Sequence, residues 1–477
     1  MKHTKIPFYF LVPSLLIYTA VMIVSLGQAL FYSVTDFSAL RTTYNFVGFA
    51  NYLRIFRDAE YLNAVKVSFL YLAIVATTVN ALGLFLATML WKATKASGTI
   101  YKTILLLPQL VALRDEGFDV AVVCAPGPAL AQLEPLGIRH IPWSNATRTW
   151  SLGSDLRAFA EILRIFRRER FDLVHTHTPK PGILGRIAAR LAGVPHVLNT
   201  VHGFYATPEH PLMRRGPVMA AEWIAARFGD VELYQNEEDL AWARRLRIAR
   251  PGRSIHLGNG IDLRLFPADL DAAKARELRE GFGIGEHDLV VGTVARLVRE
   301  KGYAELFQAA ARVRAQEPNV RFLVIGHLDT DKADVIGPDE VEAARADVIF
   351  AGRRTDVPDL LRLMDVFVLP SWREGLPRSA MEAAATGIPM VLTDIRGCRE
   401  IVHDGVEGLL VPVRDPERLS RAILELVRDP AMRDRMGKAA RAHAESTFDE
   451  RRVVSTVVGV TERELARPGR WPRRRRP

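Results

Sequence analysis

The chain has 477 residues, a formal net charge of +10 and two cysteines. That length exceeds what one hydrophobic core usually supports, so two or three domains are expected. Cys124 and Cys398 lie far apart without a CxxC spacing, which excludes a disulfide framework and a cysteine zinc site and points to a reducing, cytosolic compartment. Much of the basic excess sits in the tail, at Arg467, Arg470 and Arg473 to Arg476. Such a tail suits an anionic membrane surface as well as a nucleic acid, and no nucleic-acid partner is expected.

Two apolar stretches open the chain, Phe8 to Leu30 and Ala64 to Trp91, each long enough to span a bilayer. A cleaved signal peptide is the rival for the first, but its apolar run exceeds the usual core of a signal and no small-residue cleavage site ends it. Lys2 and Lys5 precede the first stretch and Lys92, Lys95 and Lys102 follow the second, against Arg41, Arg54, Arg57 and Lys66 between them. The lysine flanks favour both ends in the cytoplasm. Basic usage changes abruptly: 6 Lys and 3 Arg up to Leu107, then 5 Lys and 50 Arg. A junction between two coding histories is therefore expected here. The first span, the phrase FVGFANYLRIF from Phe46 and YKTILLLPQLV from Tyr101 resemble the start of a sugar-type ABC transporter permease, over about the first 110 residues. The likeness stops before the loop with which such permeases engage their ATPase, so transport by this chain and an ABC ATPase partner are not expected.

From Val111 onward the pattern is soluble α/β. Short apolar runs at Val120 to Cys124, Leu173 to Val174, Val197 to Val201, Leu289 to Val294, Phe322 to Ile325, Val348 to Phe350 and Val366 to Leu369 alternate with helix-length amphipathic stretches. Buried strands alternating with helices make parallel sheets, which take ligands at the carboxyl ends of their strands. The second run leads into His175-Thr176-His177-Thr178-Pro179-Lys180 and the third into His202-Gly203-Phe204-Tyr205. Two imidazoles without a third nearby ligand do not make a metal site. The strand ending at Val294 delivers Arg296 and Lys301, two cations where a leaving diphosphate would need them, although a surface salt-bridge turn would use the same residues. After Leu369, Pro370 to Pro377 forms a loop and Arg378 to Ala385 a helix, with Pro377 suited to the first turn. The free amides near Leu376 to Ser379 could hold a pyrophosphate. Glu374 and Glu382, with seven residues between them, flank that turn; alone they would read as a loop charge and a solvated helix residue.

Together these phrases resemble glycosyltransferase family 4: NGID at Asn259, GTVARLVREKG at Gly292, FLVIG at Phe322, FAGRRTDVPDLL at Phe350 and EGLPRSAMEAAATGIPMV at Glu374, with the two histidine phrases upstream. The resemblance runs from about Leu110 to the end. It implies a GT-B fold, two Rossmann-like domains facing a cleft, and sugar transfer with retention of configuration, without a metal ion or other cofactor. It further implies that Arg296 and Lys301 bind the donor diphosphate, Glu374 lies beside the transferred sugar, Glu382 holds the ribose hydroxyls and His202 contacts the hexose. Gly352, Arg353, Gly375, Leu376 and Pro377 complete the implied donor site, and His177 and Lys180 are the acceptor-side candidates. Asp329-Thr330-Asp331 is similar to the metal-binding triplet of the other major glycosyltransferase fold, but it sits in a polar loop of the wrong architecture and is rejected.

One departure from the family is expected to matter: its usual first strand and glycine-rich loop, before a helix like Pro108 to Glu116, are replaced by permease-like sequence, with Thr103 to Leu107 as the nearest substitute. The expected organisation is a membrane segment of two transmembrane helices (1–107), an incomplete acceptor-side domain (108–251), a donor-side domain (252–448), a helix crossing back (449–466) and a basic tail (467–477). Asn259-Gly260 is the expected hinge. The expected activity moves a hexose-type sugar from a nucleotide-sugar, on family grounds a UDP-sugar, to a membrane-held or lipid-linked acceptor in surface polysaccharide synthesis. The resemblance near HGFY is to bacterial surface-polysaccharide transferases. The catalytic part is expected on the cytoplasmic side of the inner or plasma membrane. Two alternatives accompany it: an impaired nucleotide-sugar-binding fusion, and a sugar ABC transporter permease subunit.

Overall fold

The computed structural model describes residues 25–37, 44–58, 62–63, 66–67 and 108–469, apart from 128–129, 131–132, 148–149, 178, 205, 207–210, 268–270 and 329–333. The chain divides into two units, Met1–Ala93 and Thr94–Pro477. In the first, a helix at 25–33 is followed by a turn in which Thr35 bridges Phe46, and by the helix Ala50–Ile55. Asn51 ties that helix to the turn by donating to the Ser33 and Thr35 carbonyls at 2.9 and 2.7 Å. The expected spans Phe8 to Leu30 and Ala64 to Trp91 fall mostly outside the described residues, and among the described residues no helix is long and apolar enough to cross a membrane.

The second unit holds two Rossmann-like domains. In the amino-terminal one, strands β1 (Ala121–Cys124) and β2 (Arg139–Pro142) form a parallel pair. Strands β3 (Leu173–His177), β4 (His196–Val201), β5 (Val231–Tyr234) and β6 (Ser254–His256) form a separate parallel sheet in that order. Among the described residues, β1 and β3 are each paired on one side only. Helices α1 (Leu152–Glu169), α2 (Pro179–Ala192), α3 (Leu212–Ala226) and α4 (Glu237–Arg245) connect the strands. The two sheet pieces share one apolar cluster: Ile141 within β2 and Trp143 just after it, Ile162 and Phe166 of α1, Val174 of β3 and Ala188 of α2, with Val123 of β1 against it. Residues 103–107, the expected strand substitute, lie outside the described residues.

The carboxyl-terminal domain has one continuous parallel sheet. Its strands are β7 (Leu289–Val294), β8 (Val320–Ile325), β9 (Val348–Gly352), β10 (Val366–Leu369), β11 (Met390–Thr393) and β12 (Gly408–Val411), in the order β12-β11-β10-β7-β8-β9. Five of its helices are α5 (Ala272–Gly281), α6 (Tyr303–Arg314), α7 (Pro338–Ala344), α8 (Val357–Leu361) and α9 (Arg378–Thr386). Then α10 (Pro416–Arg428) and α11 (Pro430–Thr447) follow β12, each started by an aspartate side chain that accepts a first-turn amide, Asp415 from Arg418 and Asp429 from Met432. Large apolar clusters cover both faces of the sheet, one around Phe367, Met381 and Leu392, the other around Val291, Tyr303, Val324 and Leu426. Strands hydrophobic on both faces are what a parallel sheet sandwiched by helices requires.

The chain then returns. The Ile261 amide donates to Phe448 O at 2.9 Å and the Glu450 amide to Ile261 O at 3.1 Å, and a Cβ at Gly260 would run into Glu450. From that crossing α12 (Glu450–Leu465) enters the amino-terminal domain, where Val453, Val457 and Val460 pack with Leu198, Leu233 and Leu257.

Candidate active site

The strand order of the larger sheet reverses between β10 and β7, and a crevice at such a reversal is where open parallel sheets take ligands. Loops leave the carboxyl ends of these two neighbours side by side. After β7, residues Arg299–Lys301 make a single 3₁₀ turn that ends at Gly302, whose φ is +74°. A Cβ at Gly302 would collide with the Pro370 carbonyl oxygen of the β10 loop, so only glycine allows the two loops to touch. The contact is completed by the Trp372 amide donating to Glu300 O at 2.8 Å and by Arg373 pairing with Glu300 at 3.3 Å.

This approach brings Lys301 Nζ to 2.6 Å from Glu374 Oε1, which also accepts from Ser371 Oγ at 2.7 Å. Both charged side chains are largely covered, at 17% and 10% exposed, and Ser371 is fully buried and accepts from Thr393 Oγ1 through its carbonyl. Charge-assisted bonds of this kind hold a carboxylate in one orientation. Arg296, at the same strand end, reaches Glu300 at 3.9 Å. Leu376 and Pro377 are buried, and Pro377 stands at the N-cap of α9. One turn into α9, Glu382 is buried and accepts from Arg378 Nε at 2.8 Å. Burial pushes its carboxyl above the ordinary value, against the pull of Arg378. Gly352 ends β9 with φ +68°, and Arg353 beyond it is exposed.

The amino-terminal domain supplies the opposite wall. A Cβ at Gly375 would meet the His202 carbonyl oxygen, and Asn236 Nδ2 donates to Gly375 O at 3.2 Å. Farther along, Arg396 is ion-paired with buried Asp239 and donates to Phe204 O at 2.5 Å, while the Glu237 amide donates to Glu400 at 2.6 Å. His202 itself lies in a chain of side chains: its Nδ1 is 2.9 Å from Gln235 Oε1 and its Nε2 is 3.1 Å from His177 Nδ1. With Gln235 Oε1 accepting, His202 carries its proton on Nδ1 and its Nε2 accepts from His177. Burial and the neighbouring imidazole of His202 hold His175 down at about 3, and burial with both other histidines holds His177 well below its ordinary value, so both rings are neutral at pH 7. Lys180, the other acceptor-side candidate, is buried at the start of α2, ion-paired with Asp155 and donating to Thr147 Oγ1 at 2.7 Å.

Thus Lys301 meets Glu374, His177 meets His202, and the His202-Gly203 turn meets Gly375. Glu382 and Lys180 have their own local partners. Tyr205, Thr178 and Asp329 to Asp331 lie outside the described residues. Sequence reasoning missed Ser371, Asn236, Asp239, Arg396 and Glu400. Asn236 was detectable as a helix cap before an acidic first turn, since its side chain accepts the Asp239 amide at 2.9 Å; the others carry no local signal.

Residues 274–443 match the family Glycosyl transferases group 1, and residues 99–223 match Glycosyl transferase 4-like. EpsD of Bacillus subtilis (strain 168), whose name places it among glycosyltransferases, is 32% identical over 318 residues, covering 64% of this chain and 80% of that protein. The chain belongs to the glycosyltransferases of this family. The Escherichia coli UDP-Gal:alpha-D-GlcNAc-diphosphoundecaprenol alpha-1,3-galactosyltransferase is 28% identical over 331 residues, 68% of this chain and 84% of that enzyme. Among solved structures, Anabaena HepE in complex with UDP superposes with a TM-score of 0.62 at 23% identity, over 75% of this chain and 95% of its own. The family member therefore has the GT-B-like arrangement of two parallel-sheet domains.

Proposed function

We propose that this glycosyltransferase moves a hexose from a UDP-sugar to a lipid-linked acceptor, with retention of configuration, in surface polysaccharide synthesis. The observation that carries the reading is the Lys301–Glu374–Ser371 group at the β7/β10 reversal, facing the His202-Gly203 turn. Lys301 and Arg296 neutralise the diphosphate as it gains charge on bond breaking, which is stabilisation aimed at the transition state. The α9 amides near Leu376 to Ser379 add donors for the same group. Glu374, oriented by Ser371, provides the electrostatic field beside the transferred sugar, and the departing phosphate serves as base for the incoming hydroxyl. Glu382 holds the ribose, with Gly352, Arg353, Gly375, Leu376 and Pro377 around the nucleotide. His202 contacts the hexose, and His177 and Lys180 border the acceptor.

The lipid-linked acceptor and the cytoplasmic face of a membrane are supported by the undecaprenol-linked acceptor in the name of the Escherichia coli relative, by the two apolar stretches in the sequence, and by α3. Along one side of that helix Leu212, Met213, Pro217, Ala220, Trp223 and Ile224 are all exposed, Met213 at 92%, with Arg227 stacked 3.7 Å over Trp223. An apolar helix face edged by arginine and tryptophan suits the boundary of an anionic bilayer.

The test is UDP release and sugar transfer with Glu374→Gln and Lys301→Ala. Each is expected to lower turnover on the order of 10²- to 10³-fold, as loss of one transition-state contact does. Glu382→Ala is expected to weaken nucleotide binding by about 1.5 to 3 kcal/mol, the range for hydrogen bonds to a charged group. Unchanged turnover in the first pair would sink the assignment. A second reading, a nucleotide-sugar binder without turnover, is favoured by the division of the amino-terminal sheet into two pieces among the described residues. Binding without UDP release, rescued by restoring a first strand ahead of residue 108, would select it.

A further inference from the structure

Glu407 stands at the amino end of β12, on the side of the larger sheet away from the β7 and β10 loops, since all six strands run parallel. Its carboxylate is buried, and Oε2 accepts the His403 amide at 2.7 Å. Oε1 faces two imidazoles, His443 Nδ1 at 3.0 Å and His403 Nδ1 at 3.2 Å, with His403 Nδ1 also 3.2 Å from Oε2. The three potential ligand atoms lie within 4.8 Å of one another. The two rings stack at 5.3 Å, and Phe448 backs His443 at 5.1 Å. Tetrahedral zinc, with bonds of about 2.0 to 2.1 Å, sets its ligand atoms roughly 3.3 Å apart, close to the two nitrogen-to-oxygen separations here.

We propose that Glu407, His443 and His403 form a binding site for one divalent transition-metal cation of the zinc class, separate from the sugar-transfer cleft. Imidazole and carboxylate together suit such a cation. The backbone amide on Oε2 fixes the carboxylate so that Oε1 remains available, the orienting role that outer hydrogen bonds play around metals. Binding replaces the hydrogen bonds from the two Nδ1 atoms to Glu407: each imidazole presents Nδ1 unprotonated, with its proton on Nε2. His403, 63% exposed, leaves the remaining position open to water. The cation would tie the turn before β12 to α11, next to Phe448, whose carbonyl receives the Ile261 amide at the crossing between the domains.

The experiment uses the full chain stripped with a chelator and titrated with Zn²⁺ against a colorimetric competitor, with Co²⁺ as a spectroscopic probe. The expected result is one strong site per chain, a tetrahedral Co²⁺ spectrum without a thiolate charge-transfer band, and a rise in Tm with Zn²⁺. His403→Ala, at an exposed side chain, is expected to lower the Zn²⁺ affinity at least tenfold and abolish the Tm shift. His403→Gln checks the same loss with a side chain of similar size. A chain that binds no stoichiometric Zn²⁺, a thiolate band in the Co²⁺ spectrum, or undiminished affinity in both variants would overturn the proposal.

Discussion

The two Rossmann-like domains use one alternation of strand and helix yet are held together differently. In the carboxyl-terminal domain six strands run without a break, between faces filled by residues such as Phe367, Met381, Val324 and Leu426. In the amino-terminal domain the described sheet comes in two pieces, and charge lies inside. Arg186, 1% exposed, sits between Glu222 at 2.6 Å and Glu232 at 2.8 Å, Asn199 donates to the same Glu232 at 2.7 Å, and Arg190 pairs with Asp230. Part of that domain's core comes from α12, the last helix among the described residues. The carboxyl-terminal half is thus packed mainly by apolar residues of its own, whereas the amino-terminal half depends on paired charges and on a borrowed helix. Buried charges are tolerated only while paired, so the second half is the one a single substitution can break.

The largest effect is expected from Arg186→Met, which leaves Glu222 and Glu232 buried together without their cation. Losing one partner of a buried ion pair costs about 3–5 kcal/mol. Urea unfolding followed by a probe in each half should show the amino-terminal transition move by that amount while nucleotide affinity in the other half stays. A shift under about 1 kcal/mol would mean that the charges are not what holds this domain.

Next comes the seam between the halves. Gly375→Ala places a methyl against the His202 carbonyl oxygen and forces the two loops apart without touching either core. A misplacement of about 1 Å at a reacting centre can lower turnover on the order of 10²-fold. Turnover should fall while Tm stays within a few degrees; equal activity would show that the halves do not work in this closed contact.

The smallest effect is a pH dependence at the same seam. Glu400 of the carboxyl-terminal half accepts the Glu237 amide at the start of α4, with Glu237, Glu238 and, at 3.8 Å, His256 around it. Burial, then the two nearby glutamates, push its carboxyl from 4.5 up to about 7, against the pull of the Glu237 and Glu238 amides. Below pH 4.5 it is protonated folded or unfolded. Between 4.5 and 7 the folded chain keeps a proton that the unfolded chain releases, so stability falls as pH rises through this window, and the cost is complete above 7. Glu400→Gln removes that slope. Its Tm advantage over the natural residue should grow between pH 4.5 and 7, by on the order of a few degrees, and then level off. A difference that does not change with pH would remove Glu400 as the cause.

Sequence by itself determined the elements whose signals are local. The apolar runs that became β1, β3, β4, β7, β8, β9 and β10, the loop from Pro370 to Pro377 and the helix after it follow from hydrophobic patterning and turn chemistry within a few residues. The loops bearing Arg296, Lys301 and Glu374 could be placed at strand ends for the same reason. Strands β2, β5, β6, β11 and β12 were not singled out: they are three or four residues long, and Arg139–Pro142 and Ser254–His256 carry too few apolar residues to stand out from loops. Tertiary structure alone decided the pairing of Lys301 with Glu374 across 73 residues, of Asn236 with Gly375 across 139 and of Arg396 with Asp239 across 157, and the meeting of His403 and Glu407 with His443. None of these groups holds its partner in an isolated segment. Each contact gains strength only where assembled sheets have removed water around it, and which loops then lie side by side is set by strand order, which no local pattern encodes.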